Sequence, residues 1–215
     1  MIWFWTIPIA AGITLQVLIL ASLLRGPGRR FRVFFVYMTA LLLITIVDTA
    51  VFYDPEISKR MSRFYWMGDV ILQALVFVLV ISLVHWGMGA NPGRAATRRW
   101  LVAGAILFTA VSAVLTRGPL FGMWMTKLSR NLGFCAVLLN LVLWAVLIRN
   151  RHADRTLLLL SGGLGIEMAG KAIGHSLREI SRSLWLTGNL VIVLANVAAL
   201  YIWWEAFRRK PGQAR

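Results

Sequence analysis

The sequence predicts an all-α polytopic membrane protein, a bundle of about seven transmembrane helices, and three observations predict it. Of the 215 residues, 59% are hydrophobic and the mean hydropathy is +0.74, against an apolar share of about one half in soluble domains. Charged residues make up only 14% and gather in the short gaps between apolar runs. Those runs approach or reach the length that, at about 1.5 Å per residue, crosses about 30 Å of hydrocarbon.

The segments are Ile2–Leu24, Val33–Tyr53, Met67–Trp86, Trp100–Thr116, Leu128–Ile148, Thr156–Leu177 and Leu184–Phe207, in one transmembrane domain covering residues 1–215. The first opens with Ile2-Trp3-Phe4-Trp5, without a basic leading region or small-residue cleavage site, and so reads as a span rather than a signal peptide. Helix breakers mark the connections: Arg25-Gly26-Pro27-Gly28, Asp54-Pro55, Asn91-Pro92-Gly93 and Arg117-Gly118-Pro119. No internal repeat and no low-complexity tail interrupts this pattern.

Basic residues are distributed unevenly between the two sides. Arg25, Arg29, Arg30, Arg32, Arg94, Arg98, Arg99, Arg149, Arg151, Arg155, Arg208, Arg209, Lys210 and Arg215 fall on one side. Lys59, Arg60, Arg63, Arg117, Lys127, Arg130, Arg178 and Arg182 fall on the other. The richer side belongs to the cytoplasm, which predicts an outside N-terminus and a cytoplasmic C-terminus. Tryptophans form belts at both boundaries, with Trp3, Trp5, Trp66, Trp124 and Trp185 outside and Trp86, Trp100, Trp144, Trp203 and Trp204 inside. The excess of 23 Lys plus Arg over 8 Asp plus Glu is thereby explained by topology and anionic headgroups. Nucleic acid is not an expected partner, since no basic amphipathic stripe or stacking-aromatic module is present. Arginine-dominated basic content and the lack of targeting signals point to a bacterial inner membrane.

An ionisable side chain at the centre of a membrane helix costs about 2.5–3.5 kcal/mol on insertion scales, so such groups are the functional candidates. The sixth segment carries Glu167, Lys171 and His175 at intervals of four, on one narrow stripe that Arg178 continues outward. Glu before Lys at this spacing is the favourable order for an intrahelical pair. Mutual neutralisation and a ligand, ion or proton site are equally good readings of it. Gly163, Gly170 and Gly174 lie beside the stripe and predict close approach by another helix, which would put the stripe's edge inside the bundle.

Counted from the middle of each span, Asp48, Gln73, Lys171 and Asn189 lie about 6–9 Å toward the outer side. Asp69 and His175 lie nearer the surface, and Glu167 and Asn196 near the midplane. Asp48 is the expected countercharge for Lys171, whereas Asp69, following Gly68, is also placed to cap the third helix. Asn189 and Asn196 share one face of the seventh segment, and Thr109, Ser112 and Thr116 one face of the fourth. Rows of this kind serve more often as interhelical hydrogen-bond glue than as ligands.

Several chemistries are disfavoured. His85, His152 and His175 fall at different depths and cannot pair on one haem or zinc, and Cys135 is the sole cysteine, so no metal site and no disulfide is expected. Microbial rhodopsins carry the chromophore lysine in the last helix. Leu184–Phe207 contains none and Lys171 is in the sixth, so retinal is not expected, nor any other cofactor. No nucleophile elbow, phosphate loop or HExxH pattern occurs, which puts an enzyme last.

The expected function is a small membrane sensor or receptor-like protein with an outward pocket for a small polar or anionic ligand, acting through a cytoplasmic or membrane signalling partner. Seven helices with an outside N-terminus resemble receptor and sensor-kinase membrane modules in topology alone. A transporter or proton-coupled carrier is the alternative, with Asp48, Glu167, Lys171 and His175 as relay. A structural subunit of a membrane complex is the third. Inward of Glu167 the polar groups thin out to Thr156, Ser161, Asn196, Thr39, Tyr37 and, at the edge, Glu205. That is a poor inner path for a carrier, and it predicts apolar packing on the cytoplasmic side.

Overall fold

The computed structural model describes residues 2–26, 30–53, 55–88, 94–116, 121–149 and 154–208. Of these it describes the backbone alone at 2–5, 52–53, 55–66, 69, 94, 121–123, 125–126, 129, 149, 179 and 182. Among the described residues there are seven α-helices: α1 (Ile2–Leu24), α2 (Arg32–Tyr53), α3 (Pro55–Gly87), α4 (Arg94–Leu115), α5 (Phe121–Arg149), α6 (Arg155–Ile180) and α7 (Trp185–Arg208). Each holds a window long and apolar enough to cross a membrane.

Three helices begin well before the spans read from the sequence. The window of α3 is Val70–Gly87, yet the helix starts at Pro55, where a ring-fixed φ and a missing N–H suit the first turn. Hydropathy marks what lipid accepts, not where a helix begins, so the boundary read at Met67 fell inside α3. Asp69 is therefore well within the helix and does not cap it, and its side chain lies outside the described residues. Likewise α4 begins at Arg94 rather than Trp100, and α5 at Phe121 rather than Leu128. Also outside the described residues are Arg29, Arg117, Arg151, His152 and everything after Arg208, together with the side chains of Trp3, Trp5, Trp66, Lys59, Arg60, Arg63 and Arg182.

Helices α1, α2, α3, α5, α6 and α7 pack side by side in a closed order, with α7 returning to α1 and α3 touching α6 across the interior. Helix α4 stands outside this ring, against α3 and α5. Burial follows the same division: 56% of the α3 window is buried against 11% of the α4 window. Around the periphery, Ile7, Leu24, Leu43, Ile106, Leu115, Ile148 and Tyr201 are exposed, which in water would leave a large apolar surface uncovered.

The two ends of the bundle differ. At one, which also carries the exposed Arg25, Arg30, Arg32, Arg98, Arg99, Arg155 and Arg208, the ring of Phe31 meets Trp86 edge-on at 5.2 Å and Phe207 at 5.6 Å. This is the basic end. Asp154 works twice there, accepting a hydrogen bond from the Thr156 N–H at 3.0 Å as the α6 N-cap and pairing with Arg30 at 3.1 Å. At the opposite end Trp124 Nε1 donates to the Ala113 carbonyl at 3.1 Å, tying α5 to α4.

The most extensive helix pairing joins α6 to α7, which are separated only by Ser181 and one 3-10 turn, Arg182–Leu184. Small residues bring the two backbones together. A Cβ on Gly174 would meet the Gly188 carbonyl oxygen at 2.6 Å, and one on Gly188 would meet the Gly174 carbonyl at the same distance. Further along, Gly170 faces Ala195 and Gly163 is covered by the Trp203 indole. The neighbour anticipated for the glycine stripe of α6 is thus α7.

This contact generates a test. Gly174→Ala must push one main chain off another, and we expect a loss of about 1–3 kcal/mol or more, read as unfolding of the detergent-solubilised protein. A methyl group added at Gly104 on α4 would meet nothing within 4 Å, so Gly104→Ala should be neutral or gain up to about 1 kcal/mol from helix propensity.

Candidate functional site

Burial of a carboxylate without partners is too costly to persist, so the surroundings of Glu167 define the site. Glu167 is 1% exposed, near the middle of α6. Lys171, one turn further along the helix, donates from Nζ to Glu167 Oε1 at 2.6 Å. From α2 the Tyr37 hydroxyl donates to the same carboxylate, with Oη 2.9 Å from Oε1 and 2.8 Å from Oε2. The pair anticipated on α6 is formed. Its third member was read only as a residue of the inner path, because a tyrosine at the fifth position of an apolar run carries no mark of its partner.

Tyr37 is fully buried and leads into an aromatic cluster on the side of the basic end. Its ring lies 6.0 Å from Trp203, edge-on, and 6.4 Å from Phe34. Phe34 meets Trp203 at 5.3 Å and Phe207 at 5.4 Å, and Phe207 meets Phe31. Trp203 Nε1 donates to the Leu160 carbonyl of α6 at 3.0 Å, which satisfies the indole inside an apolar layer and locks its plane. The lack of a side chain at Gly163 makes room for that ring.

On the other side of Glu167 a narrow cleft of about 10 Å³, partly open to solvent, lies between α3, α5 and α6. Gln73, Arg130, Gly133, Met168, Lys171, Ala172 and His175 line it. Gln73 is held by a hydrogen bond from its Nε2 to the Leu132 carbonyl of α5 at 3.1 Å. Of the residues singled out in the sequence, Gln73, Lys171 and His175 thus meet at one cleft and Glu167 lies beneath it. Asp48 on α2 and Asn189 on α7 are half-buried and are not among the described lining residues. The sequence places Arg130 near the start of the fifth segment and counts it only among the basic residues of the less basic side, because a charge count does not show which helical face a residue occupies.

Other buried polar groups lie on neighbouring helices. Asn140 on α5 is 4% exposed and presses its amide against Gly165, two residues before Glu167, a lone polar residue mid-span that hydropathy passes over. Gln16 of α1 donates to Thr45 Oγ1 of α2 at 3.2 Å. The remaining carbonyl oxygens of Gln16 and Asn140, and that of Asn196, are buried without a hydrogen-bond partner. Among the described residues no three His, Cys, Asp or Glu side chains gather as metal ligands do. No protein-family model, curated protein or solved structure matches the chain.

The shared carboxylate makes its three residues energetically inseparable. Lys171→Met should cost about 3 kcal/mol by leaving Glu167 short of a cation, and Tyr37→Phe about 1.5–3 kcal/mol. Lys171→Met combined with Glu167→Gln should be milder than the sum of the singles in a double-mutant unfolding cycle, and strict additivity would refute the coupling. Asp48→Asn run through the same cycle measures whether Asp48 is a second countercharge for Lys171.

Proposed function

We propose that this chain is an integral membrane protein, its basic end cytoplasmic, that acts as a small sensor or receptor by binding a small polar or anionic molecule in the outward cleft. The observation that carries this reading is that Lys171 lines the cleft while its Nζ holds Glu167, whose other donor, Tyr37, belongs to the aromatic cluster beneath. A ligand carboxylate or phosphate that draws Lys171 toward the cleft weakens its hold on Glu167. Glu167 then relies more on Tyr37, whose ring is packed on Trp203 and Phe34. A change at the cleft is thereby felt at the basic end, where a cytoplasmic or membrane signalling partner would read it. The arginine-dominated loops favour a bacterial inner membrane as the location.

The same aromatic layer weighs against a carrier. Alternating access needs a polar route to both sides, and the route from Glu167 toward the basic end is filled by Tyr37, Phe34, Trp203 and Phe207.

Orientation is tested by single cysteines in a Cys135→Ala background. Those at Lys59 and Arg182 should label from outside intact cells, and those at Arg29, Arg98 and Arg151 should not; outside labelling at Arg98 would reverse the topology. Function is tested in liposomes. A panel of small carboxylates, phosphates and neutral polar compounds should yield one class that binds, loses affinity in Lys171→Met, and crosses the bilayer no faster than in empty vesicles. Saturable uptake abolished by Lys171→Met would replace the sensor with the carrier. Failure of the whole panel to bind would favour a structural subunit.

A further inference from the structure

The cleft between α3, α5 and α6 is small enough to restrict what enters it. Its volume is about 10 Å³ and it is partly open to solvent. A space of about 10–15 Å³ holds one water-sized body. A carboxylate or phosphate that approaches must therefore leave most of its heavy atoms outside, whereas a monatomic ion enters whole.

The lining sets the sign of that ion. Arg130 presents a guanidinium, Lys171 an ammonium, and His175 a ring that donates from at least one nitrogen in either protonation state. Gln73 is 5% exposed, and its Nε2 gives one hydrogen to the Leu132 carbonyl at 3.1 Å and carries a second. Among the described lining residues none is acidic. Glu167 lies beneath the cleft, where it takes Lys171 Nζ at 2.6 Å, so the cleft itself faces cations and N–H donors. Lys171 is about 10 Å inward of Arg178, where the apolar window of α6 ends. At that depth less water screens a charge-assisted hydrogen bond, which is then stronger than at an open surface. Gly133 leaves the wall bare: a Cβ there would meet nothing within 4 Å.

We propose that the cleft is a halide site, with chloride held by Arg130 and Lys171 and with the Gln73 amide and the His175 ring donating beside them. The inference rests on the cleft being the ligand site of the sensor reading, and it narrows the ligand from small anions in general to a monatomic one. An oxyanion reaches the same donors with a single oxygen, so it binds more weakly than chloride.

The test uses the purified full chain in detergent and sodium gluconate, whose organic anion is too large to enter, titrated with chloride at constant ionic strength and followed by the line width of the chloride NMR signal. Saturable broadening is expected, reversed by bromide and not by acetate at the same concentration. Arg130→Gln should weaken binding about ten-fold, and Arg130→Lys should keep most of the affinity. Gly133→Val changes no charge and should abolish binding while the chain unfolds in gluconate as before. Because the chain carries a formal net charge of +15, Arg98→Gln, which removes an equal charge from the basic end, is the control and should change nothing. Broadening that never saturates, or that falls as much in Arg98→Gln as in Arg130→Gln, would overturn the proposal by showing general attraction to a basic protein. Acetate or phosphate binding that is lost in Lys171→Met, without a saturable chloride signal, would overturn it too and leave the sensor reading in place. Saturable chloride binding accompanied by chloride flux in liposomes would sustain the site and replace the sensor with a carrier.

Discussion

The arrangement of this bundle depends on one requirement, that the carboxylate of Glu167 be satisfied where water does not reach it. The side chain is 1% exposed, and Tyr37 and Lys171 donate to it from two different helices. Lys171 is supplied by the helix itself, because a spacing of four puts it one turn away on the same face. Tyr37 has to be brought by packing, and it fixes how α2 sits against α6. A hydrophobic interior alone leaves helices free to rotate and slide, and a buried polar contact of this kind removes much of that freedom.

The second constraint is close packing between α6 and α7, and it works with the first. Gly174 and Gly188 let the main chains nearly touch, while Gly163 admits the Trp203 indole and so sets the position of the aromatic layer under Tyr37. Between helices in lipid no hydrophobic effect operates, and there contact of this kind and interhelical hydrogen bonds would supply the association energy. Glycine on α6 therefore has two different uses along one seam: backbone approach toward one end, and a seat for a large ring toward the other.

The number of helices and their order were legible in the sequence because long apolar runs separated by helix breakers mark them, and so was the Glu167–Lys171 pair because it is local. Helix ends were less legible. A helix such as α3 can continue past the apolar window into charged residues, which displaced Asp69 from a cap into a helix interior. The contribution of Tyr37 and the seat of Trp203 were not legible, since both depend on which helices adjoin, and α2 meets α6 across 130 positions of sequence. The peripheral place of α4 was hidden for the same reason: its segment is about as apolar as that of α6, with window hydropathies of 1.5 and 1.3, and only packing separates the two.

The two halves of the bundle are also unlike in composition. Toward the basic end the interior is filled by Phe31, Phe34, Tyr37, Trp86, Trp203 and Phe207, rings that interlock edge to face and have few rotamers. Toward the other end the α6–α7 seam is built from Gly170, Gly174 and Gly188, and the cleft beside it is bordered by Gly133 and Ala172. Glu167 bridges the two, because it is bonded both to a residue of the cleft and to a residue of the aromatic cluster. A carboxylate too costly to bury without partners is thus held by one donor from each half of the bundle.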